Sequence, residues 1–167
     1  VIGLTNYFII QENEYNEVVA ELGNDVYVIP NIEFRTNDTN GRGEYINIHV
    51  LFNPDNISIK AINDTLARIR LNNIASATAV YCSYESINSI GFDKVTISVD
   101  SLIAQLKSDF NPSDYLIIGV PIGYGGFHPN SKPRSVELAK KLDELSHAMF
   151  GRKEDTEFFL STDNGRA

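Results

Sequence analysis

The chain has 167 residues, 43% of them hydrophobic, and this length and composition favour one domain with one core over residues 1–167. Its formal net charge of −8 argues against a nonspecific DNA-binding surface, because such a surface needs a basic excess. The lone Cys82 excludes an internal disulfide and agrees with a reducing cytoplasm. The sequence shows neither a membrane-length apolar run nor a signal peptide, so we expect a cytoplasmic protein without membrane contact.

The first 71 residues alternate between strand and helix patterns. Strands are indicated by short apolar, β-branched segments, and helices by apolar residues spaced three and four apart. In chain order we predict a strand at 1–10, a helix at 14–22, a strand at 26–34, an exposed polar loop at 36–43, a strand at 45–52 and a helix at 59–71.

The second half continues the alternation after a segment at 75–84 that fits either a helix or a strand. A helix is predicted from Ser98 to Phe110, because a serine is a favoured N-cap and Leu102 and Leu106 lie on one face. The continuous apolar run at 115–121 predicts a central parallel strand. A glycine-rich loop at 122–134 and an amphipathic helix at 135–150 follow.

This order of elements favours an α/β fold with parallel strands. In α/β barrels the C-terminal ends of the strands converge, so Glu33 and His49 are expected to share one site. Carboxylate and imidazole groups are also ligands of divalent metals. The ordinary alternatives remain open: Glu33 caps a strand at the surface or pairs with Arg35, and His49 is a hydrogen-bonded core histidine.

Short motifs in the chain resemble those of the PHP family of metal-dependent phosphoesterases. Thr5-Asn6-Tyr7 stands where that family has Thr-Asp-His, Pro30-Asn31-Ile32-Glu33 where it has Pro-Gly-Ile/Val-Glu, and His49-Val50-Leu51 where it has a strand with a histidine. The chain is most similar to a branch at the N-terminus of large, often bacterial ATPases. That branch has a first motif like Thr-Asp-Tyr-Phe and a late Glu-Phe-Phe-Leu segment, which match Thr5-Asn6-Tyr7-Phe8 and Glu157-Phe158-Phe159-Leu160.

The resemblance implies a partial or distorted TIM-like (β/α)7 barrel and a phosphoesterase that uses Mn, Zn or Fe. It implies that Glu33 and His49 are metal ligands, with His128 either a third ligand or an exposed loop histidine. It also implies a phosphate-ester or nucleic-acid substrate, reached through a longer protein with a linked ATPase domain that processes DNA.

Departures from the family pattern leave two explanations. Asn6 and Tyr7 replace an acid and a histidine, and the family's His-x-His and Asp-x-His motifs are absent from the sequence. Either the chain is an internal fragment that lacks the first and last barrel elements, or the domain is a degenerate, non-catalytic scaffold or regulator of an ATPase. We expect the fragment alone to have little or no phosphatase activity. Asn6 and Tyr7 then support the site through an amide oxygen and a phosphate contact, or simply pack.

The loop at 122–134 carries the remaining candidates for phosphate binding. Lys132 and Arg134 are able to meet a phosphate group, since arginine makes bidentate contacts and glycine-rich backbone forms anion nests. Plain solvated charges are the commoner outcome for such residues. The glycines match no Walker A or dinucleotide-binding motif, so no nucleotide site is predicted from them.

Overall fold

The computed structural model describes residues 1–39, 43–75, 78–120 and 136–149. The five strands are β1 (Ile2–Tyr7), β2 (Val28–Thr39), β3 (Tyr45–Phe52), β4 (Tyr115–Val120) and the two-residue β5 (Ala148–Met149). The five helices are α1 (Glu12–Leu22), α2 (Ile59–Leu66), α3 (Tyr84–Ile90), α4 (Val99–Asp109) and α5 (Val136–Leu145). A 3₁₀ turn at Pro112–Asp114 leads into β4.

The strands form an open mixed sheet in the order β1-β2-β3-β4-β5. The β1–β2 and β4–β5 pairs are parallel, whereas β2–β3 and β3–β4, which include the longest strands, are antiparallel. The predicted partial or distorted TIM-like (β/α)7 barrel with parallel strands is therefore wrong for the part of the chain that the structure describes. The broader α/β class is retained, and β4 lies antiparallel to β3 rather than in a parallel centre.

The short connection between β2 and β3 explains why the barrel prediction fails. Only residues 40–44 separate these strands, and a crossover between parallel strands needs a dozen or more residues. The segment 36–39, predicted as exposed loop, instead extends β2, and Thr36 is fully buried. Beyond the end of β1, Asn37 N–H donates to the Ile97 carbonyl at 2.9 Å, so the segment before α4 continues the pairing along β2.

One face of the sheet forms the hydrophobic core. Alternate residues of the strands point to this side, and α2 and α4 pack over it. The largest almost fully buried side chains on β2, β3 and these two helices are Ile32, Phe34, Ile46, Ile48, Phe52, Ile62, Leu66, Leu102 and Leu106. We call this side the core face.

Local signals position α1, α2 and α4 close to their predicted starts, whereas α2 ends at Leu66 rather than Leu71 and α3 was not predicted. The hydroxyls of Ser58 and Ser98 accept hydrogen bonds from backbone N–H groups three residues later, at 3.1 and 3.3 Å, and so cap α2 and α4. Gly23 follows α1 with a φ of 67°, a conformation that glycine adopts without steric cost. Among the described residues, no helix has both the length and the apolar character needed to cross a membrane.

Candidate functional site

The second side of the sheet carries polar side chains at its centre. Because side chains alternate along a strand, the residues between those of the core face point to this side. In register order they are Thr5 and Tyr7 on β1, Asn31, Glu33 and Arg35 on β2, Asn47, His49 and Leu51 on β3, and Leu116 and Ile118 on β4. We call this side the polar face.

Glu33 and His49 lie side by side on the polar face. They are directly opposed in the β2–β3 register, and Glu33 Oε2 is 3.8 Å from His49 Nε2. The acid and the imidazole lie close together, but their strands are antiparallel, so the predicted convergence at the C-terminal ends of parallel strands is wrong, and their role as metal ligands stays a prediction. Neither residue is freely solvated, since 16% of the Glu33 side chain and 11% of the His49 side chain is exposed.

A hydrogen-bond chain across three strands orients the imidazole. The Asn31 amide donates to Thr5 Oγ1 at 2.7 Å, and its carbonyl oxygen lies 3.0 Å from His49 Nδ1. Because an amide oxygen only accepts, the tautomer that makes this hydrogen bond carries its proton on His49 Nδ1, whose N–H donates to Asn31 Oδ1. The Nε2 atom of that ring lies on the side of Glu33. An imidazole fixed through its other nitrogen is the arrangement found at metal-ligating histidines.

Burial sets the protonation of this histidine. Removal of the ring from water lowers the pKa of His49 below its usual 6.5, while the neighbouring Glu33 carboxylate acts more weakly in the opposite direction. The imidazole is therefore neutral at physiological pH. A neutral imidazole is the form that binds a metal ion.

Glu33 is held from its other oxygen. The Asn47 amide donates to Glu33 Oε1 at 2.7 Å, which leaves Oε2 on the side of His49. Arg35, two residues along β2, donates to the Asp93 carbonyl instead of pairing with Glu33. Glu33 is therefore not paired with Arg35, which was one of the predicted alternatives. The amides of Asn47 and Asn31, which carry no charge, position the Glu33 carboxylate and the His49 imidazole.

Asn6 and Tyr7 occupy different sides of β1. Asn6 pairs in register with Ile32, so its backbone position belongs to the core face, and its amide lies 3.5 Å from the Leu4 carbonyl. Tyr7 is in register with Glu33 on the polar face and stacks on Phe92 with ring centroids 4.7 Å apart. The structure therefore places Tyr7, and not Asn6, beside the Glu33–His49 pair.

The other sequence candidates lie outside the described residues. His128, Lys132 and Arg134 all fall in the segment 121–135, and the late Glu157–Leu160 motif also lies beyond the described part of the chain. Their predicted roles in metal or phosphate binding stay predictions.

The donor chemistry of the pair fits a divalent metal. One carboxylate oxygen and one neutral imidazole nitrogen, each held by an amide, match the mixed oxygen–nitrogen preference of Mn, Zn and Fe. Within the described residues, no group of three or more His, Cys, Asp or Glu side chains is arranged to hold a metal ion. Glu33 and His49 alone are fewer side chains than such a group needs, so metal binding by this pair stays a prediction.

Sequence reasoning missed the amides that organise the pair. Asn31 and Asn47 each lie two positions from a candidate ligand, at Glu33 and His49, and this spacing of two was a usable signal. The role of Thr5 could be predicted only with the knowledge that β1 pairs with β2, because Thr5 contacts Asn31 across these two strands. Comparisons of the chain with protein-family models, with curated proteins and with solved structures found no match.

Proposed function

We propose that the Glu33–His49 pair binds a divalent cation and that the protein is a metal-dependent phosphoesterase domain. The single observation that carries this proposal is the placement of the two side chains, 3.8 Å apart, with Asn31 holding the imidazole and Asn47 holding the carboxylate. The motifs around both residues, which resemble those of metal-dependent phosphoesterases, support the same reading.

In this proposal the residues of the polar face have distinct roles. A bound metal ion would supply a Lewis acid and a source of hydroxide at neutral pH. His49 and Glu33 would hold it, and burial, which lowers the pKa of His49, favours the neutral imidazole that a metal ion binds. Asn31 and Asn47 fix the two ligand directions through neutral hydrogen bonds, which leave the negative charge of Glu33 available to the cation.

The cellular setting of the proposal comes from the sequence motifs. Their similarity to ATPase-linked proteins favours a role in nucleic-acid processing within a longer protein, in the cytoplasm. The lone Cys82 agrees with that compartment: it is fully buried, and burial raises the pKa of its thiol to about 12, so it is an inert core residue.

A second candidate is a non-catalytic module that regulates a linked ATPase. One observation favours it: Asn6, which stands where the phosphoesterase motif has an acid, lies in register with Ile32 of the core face rather than beside Glu33. Tyr7, in the place of the motif's histidine, stacks on Phe92. If these two positions have lost their role in metal binding, the remaining pair serves structure alone.

Metal binding distinguishes the two candidates. We would titrate the metal-free protein with Mn²⁺ and Zn²⁺ by isothermal calorimetry and measure bound metal after dialysis. Wild-type protein should bind metal stoichiometrically, and Glu33→Gln and His49→Gln should each lower the affinity by about 10- to 100-fold, the loss that follows from disturbing a ligand or its support. Glu14→Gln, an exposed carboxylate on α1, is the matched control.

Activity then separates the enzyme from the module. Hydrolysis of p-nitrophenyl phosphate that requires Mn²⁺ and disappears in Glu33→Gln would support the phosphoesterase. Folded protein that binds no metal and shows no turnover, in the longest soluble form of the protein, would support the module. If both variants bind metal as the wild type does, while circular dichroism shows all three folded, the proposed site is wrong.

A further inference from the structure

A cleft of about 250 Å³ lies beside the C-terminal end of β1 and is not used by the Glu33–His49 pair. It is formed by the C-terminal end of β1, the N-cap of α1 and both ends of α3. The residues that line it are Asn6, Tyr7, Ile9, Gln11, Tyr84, Ile87, Asn88, Gly91 and Phe92. This volume is slightly below the range of typical small-molecule sites and suits a single ring system.

The lining of the cleft combines hydrogen-bonding capacity with an absence of charge. None of the described residues that line it is Asp, Glu, Lys, Arg or His, in a chain whose net charge is −8. Three amide side chains, from Asn6, Gln11 and Asn88, offer both donors and acceptors. The Gln11 side chain makes no capping hydrogen bond to α1, although this residue is the N-cap. The cleft therefore suits a neutral polar ligand.

Aromatic rings are exposed on the cleft in unusual number. Tyr7 and Phe92 stack on each other with an interplanar angle of 18°, and each is 46% exposed, while Tyr84 is 45% exposed. Half-exposed aromatic rings that cluster around one concavity indicate a binding surface, since single scattered apolar residues are the norm elsewhere. A paired flat platform of this kind presents a π-face to another flat ring.

The backbone at the cleft holds a conformation that bulky residues rarely adopt. Phe8 has a φ of 63°, and its side chain is fully buried against Phe34. Its N–H donates to the Glu33 carbonyl at 3.1 Å, and the Cys82 thiol donates to its carbonyl at 3.2 Å. This left-handed turn sends the ring of Phe8 into the core, so that its two neighbours line the cleft. Strained positions of this kind cluster at ligand sites.

The cleft and the Glu33–His49 pair are neighbours through Tyr7. Tyr7 lines the cleft, and it is also the register partner of Glu33 on the adjacent strand. Paired strands lie about 4.8 Å apart, so the backbone positions of Tyr7 and Glu33 are separated by one strand spacing. A ligand seated on the Tyr7 ring therefore lies next to the strand that carries Glu33.

We propose that this cleft binds a nucleobase, and that the substrate class of the protein is a nucleotide whose base stacks on the Tyr7–Phe92 platform. Base stacking on aromatic side chains needs no charge, and the amides of Asn6, Gln11 and Asn88 match the donor and acceptor edges of a base. The proposed binding of the base depends only on the residues of the cleft. Placement of the nucleotide's phosphate at Glu33 and His49 rests on the proposed function.

Nucleoside binding without metal tests the cleft by itself. We would follow adenosine, cytidine and uridine by saturation-transfer and ¹⁵N-resolved NMR in the presence of EDTA. At least one nucleoside should bind saturably, and Tyr7→Ala and Phe92→Ala should each weaken it about 5- to 100-fold, the usual loss for one stacking partner. Phe92→Tyr should retain binding. Tyr81→Ala, which removes a ring 49% exposed elsewhere on the surface, should leave it unchanged.

A second arm separates this proposal from the proposed function. Metal ions should strengthen the binding of the matching nucleoside monophosphate but not of the nucleoside, and Glu33→Gln and His49→Gln should abolish only that gain. Nucleoside binding without any gain from metal would overturn the metal site and leave the cleft intact. No nucleoside binding at millimolar concentration, or equal binding of glucose and ribose that is lost in the same variants, would overturn the nucleobase proposal.

Discussion

The two faces of this sheet are built from the same strands and have opposite chemistry. On the core face, Phe34 and Ile48 are fully or almost fully buried and pack against helices. On the polar face, the neighbours of these two residues in the chain, Glu33 and His49, are held by amide hydrogen bonds. Residues that stabilise the fold and residues that form the candidate site are therefore adjacent in the chain but lie on opposite faces of the sheet.

This separation gives two kinds of expected variant. Substitutions on the core face remove apolar contacts and should lower the free energy of unfolding by several kcal/mol. Substitutions on the polar face should cost less stability and should act mainly on ligand binding, because that face depends on a few hydrogen bonds. Measurements on both faces of the same strand show whether the two roles are separable.

The largest effect is expected for Phe34→Ala. Phe34 is fully buried, and its ring meets Phe8 edge-to-face with centroids 5.9 Å apart. Truncation of a buried phenylalanine costs about 3–5 kcal/mol through lost burial and the cavity left behind. Urea denaturation followed by circular dichroism measures the change. A loss below about 1 kcal/mol would contradict the assignment of this face as the core.

Asn31→Ala should have the next largest effect, and it tests the polar face. Asn31 is 5% exposed and bridges Thr5 and His49, so its removal takes a hydrogen bond from the buried His49 ring, at a cost of about 1–3 kcal/mol. The exposed Asn37 of the same strand is the matched control, and Asn37→Ala should change little. Equal losses in the two variants would show that the bridge contributes nothing specific.

Much of this contrast was readable in the sequence, and the barrel error was avoidable. The alternation of Ile46, Ile48 and Val50 with Asn47 and His49 predicted both the strand and its two faces. Glu33 and His49 were predicted to meet at the ends of parallel strands, but they meet across an antiparallel pair. The direction of β3 was predicted wrongly because the alternation of strands and helices favoured parallel strands, whereas residues 40–44 are too few for a crossover.

Other features had no local signal in the sequence. The alignment of Tyr7 with Glu33 depends on the register between β1, which ends at Tyr7, and β2, which begins at Val28 after α1. The stack of Tyr7 on Phe92 depends on a contact between distant segments. Neither follows from periodicity, since hydrophobic patterning fixes which face a residue takes and not which residue it meets.

A smaller effect is expected from pH, and it belongs to His49. Burial lowers the pKa of His49 in the folded protein below 6.5, so the unfolded chain binds this proton more readily. Stability should therefore be full above the unfolded pKa and fall as pH drops from about 7.5 through 6.5 towards the folded pKa. Denaturation of wild type and His49→Gln at several pH values measures the difference.

The variant isolates this histidine from the carboxylates that titrate at lower pH. His49→Gln should show a flatter pH dependence between about pH 7.5 and pH 5.5, because it cannot take up the proton. Bound metal should remove the same dependence in the wild type by competing with the proton. If wild type and variant lose stability in parallel over this range, His49 is not the buried titrating group of the polar face.

The smallest effect is expected at Leu116, where a large apolar residue lies on the polar face. Leu116 is 51% exposed, whereas its neighbour Ile117, on the core face of β4, is 4% exposed. Leu116→Ala should change the free energy of unfolding by less than about 0.5 kcal/mol, as surface substitutions do. Ile117→Ala in the same strand should cost several times more, since it leaves a cavity. A large loss at Leu116 would mean that burial on β4 does not alternate from one residue to the next. The division of the sheet into a core face and a polar face would then not include β4.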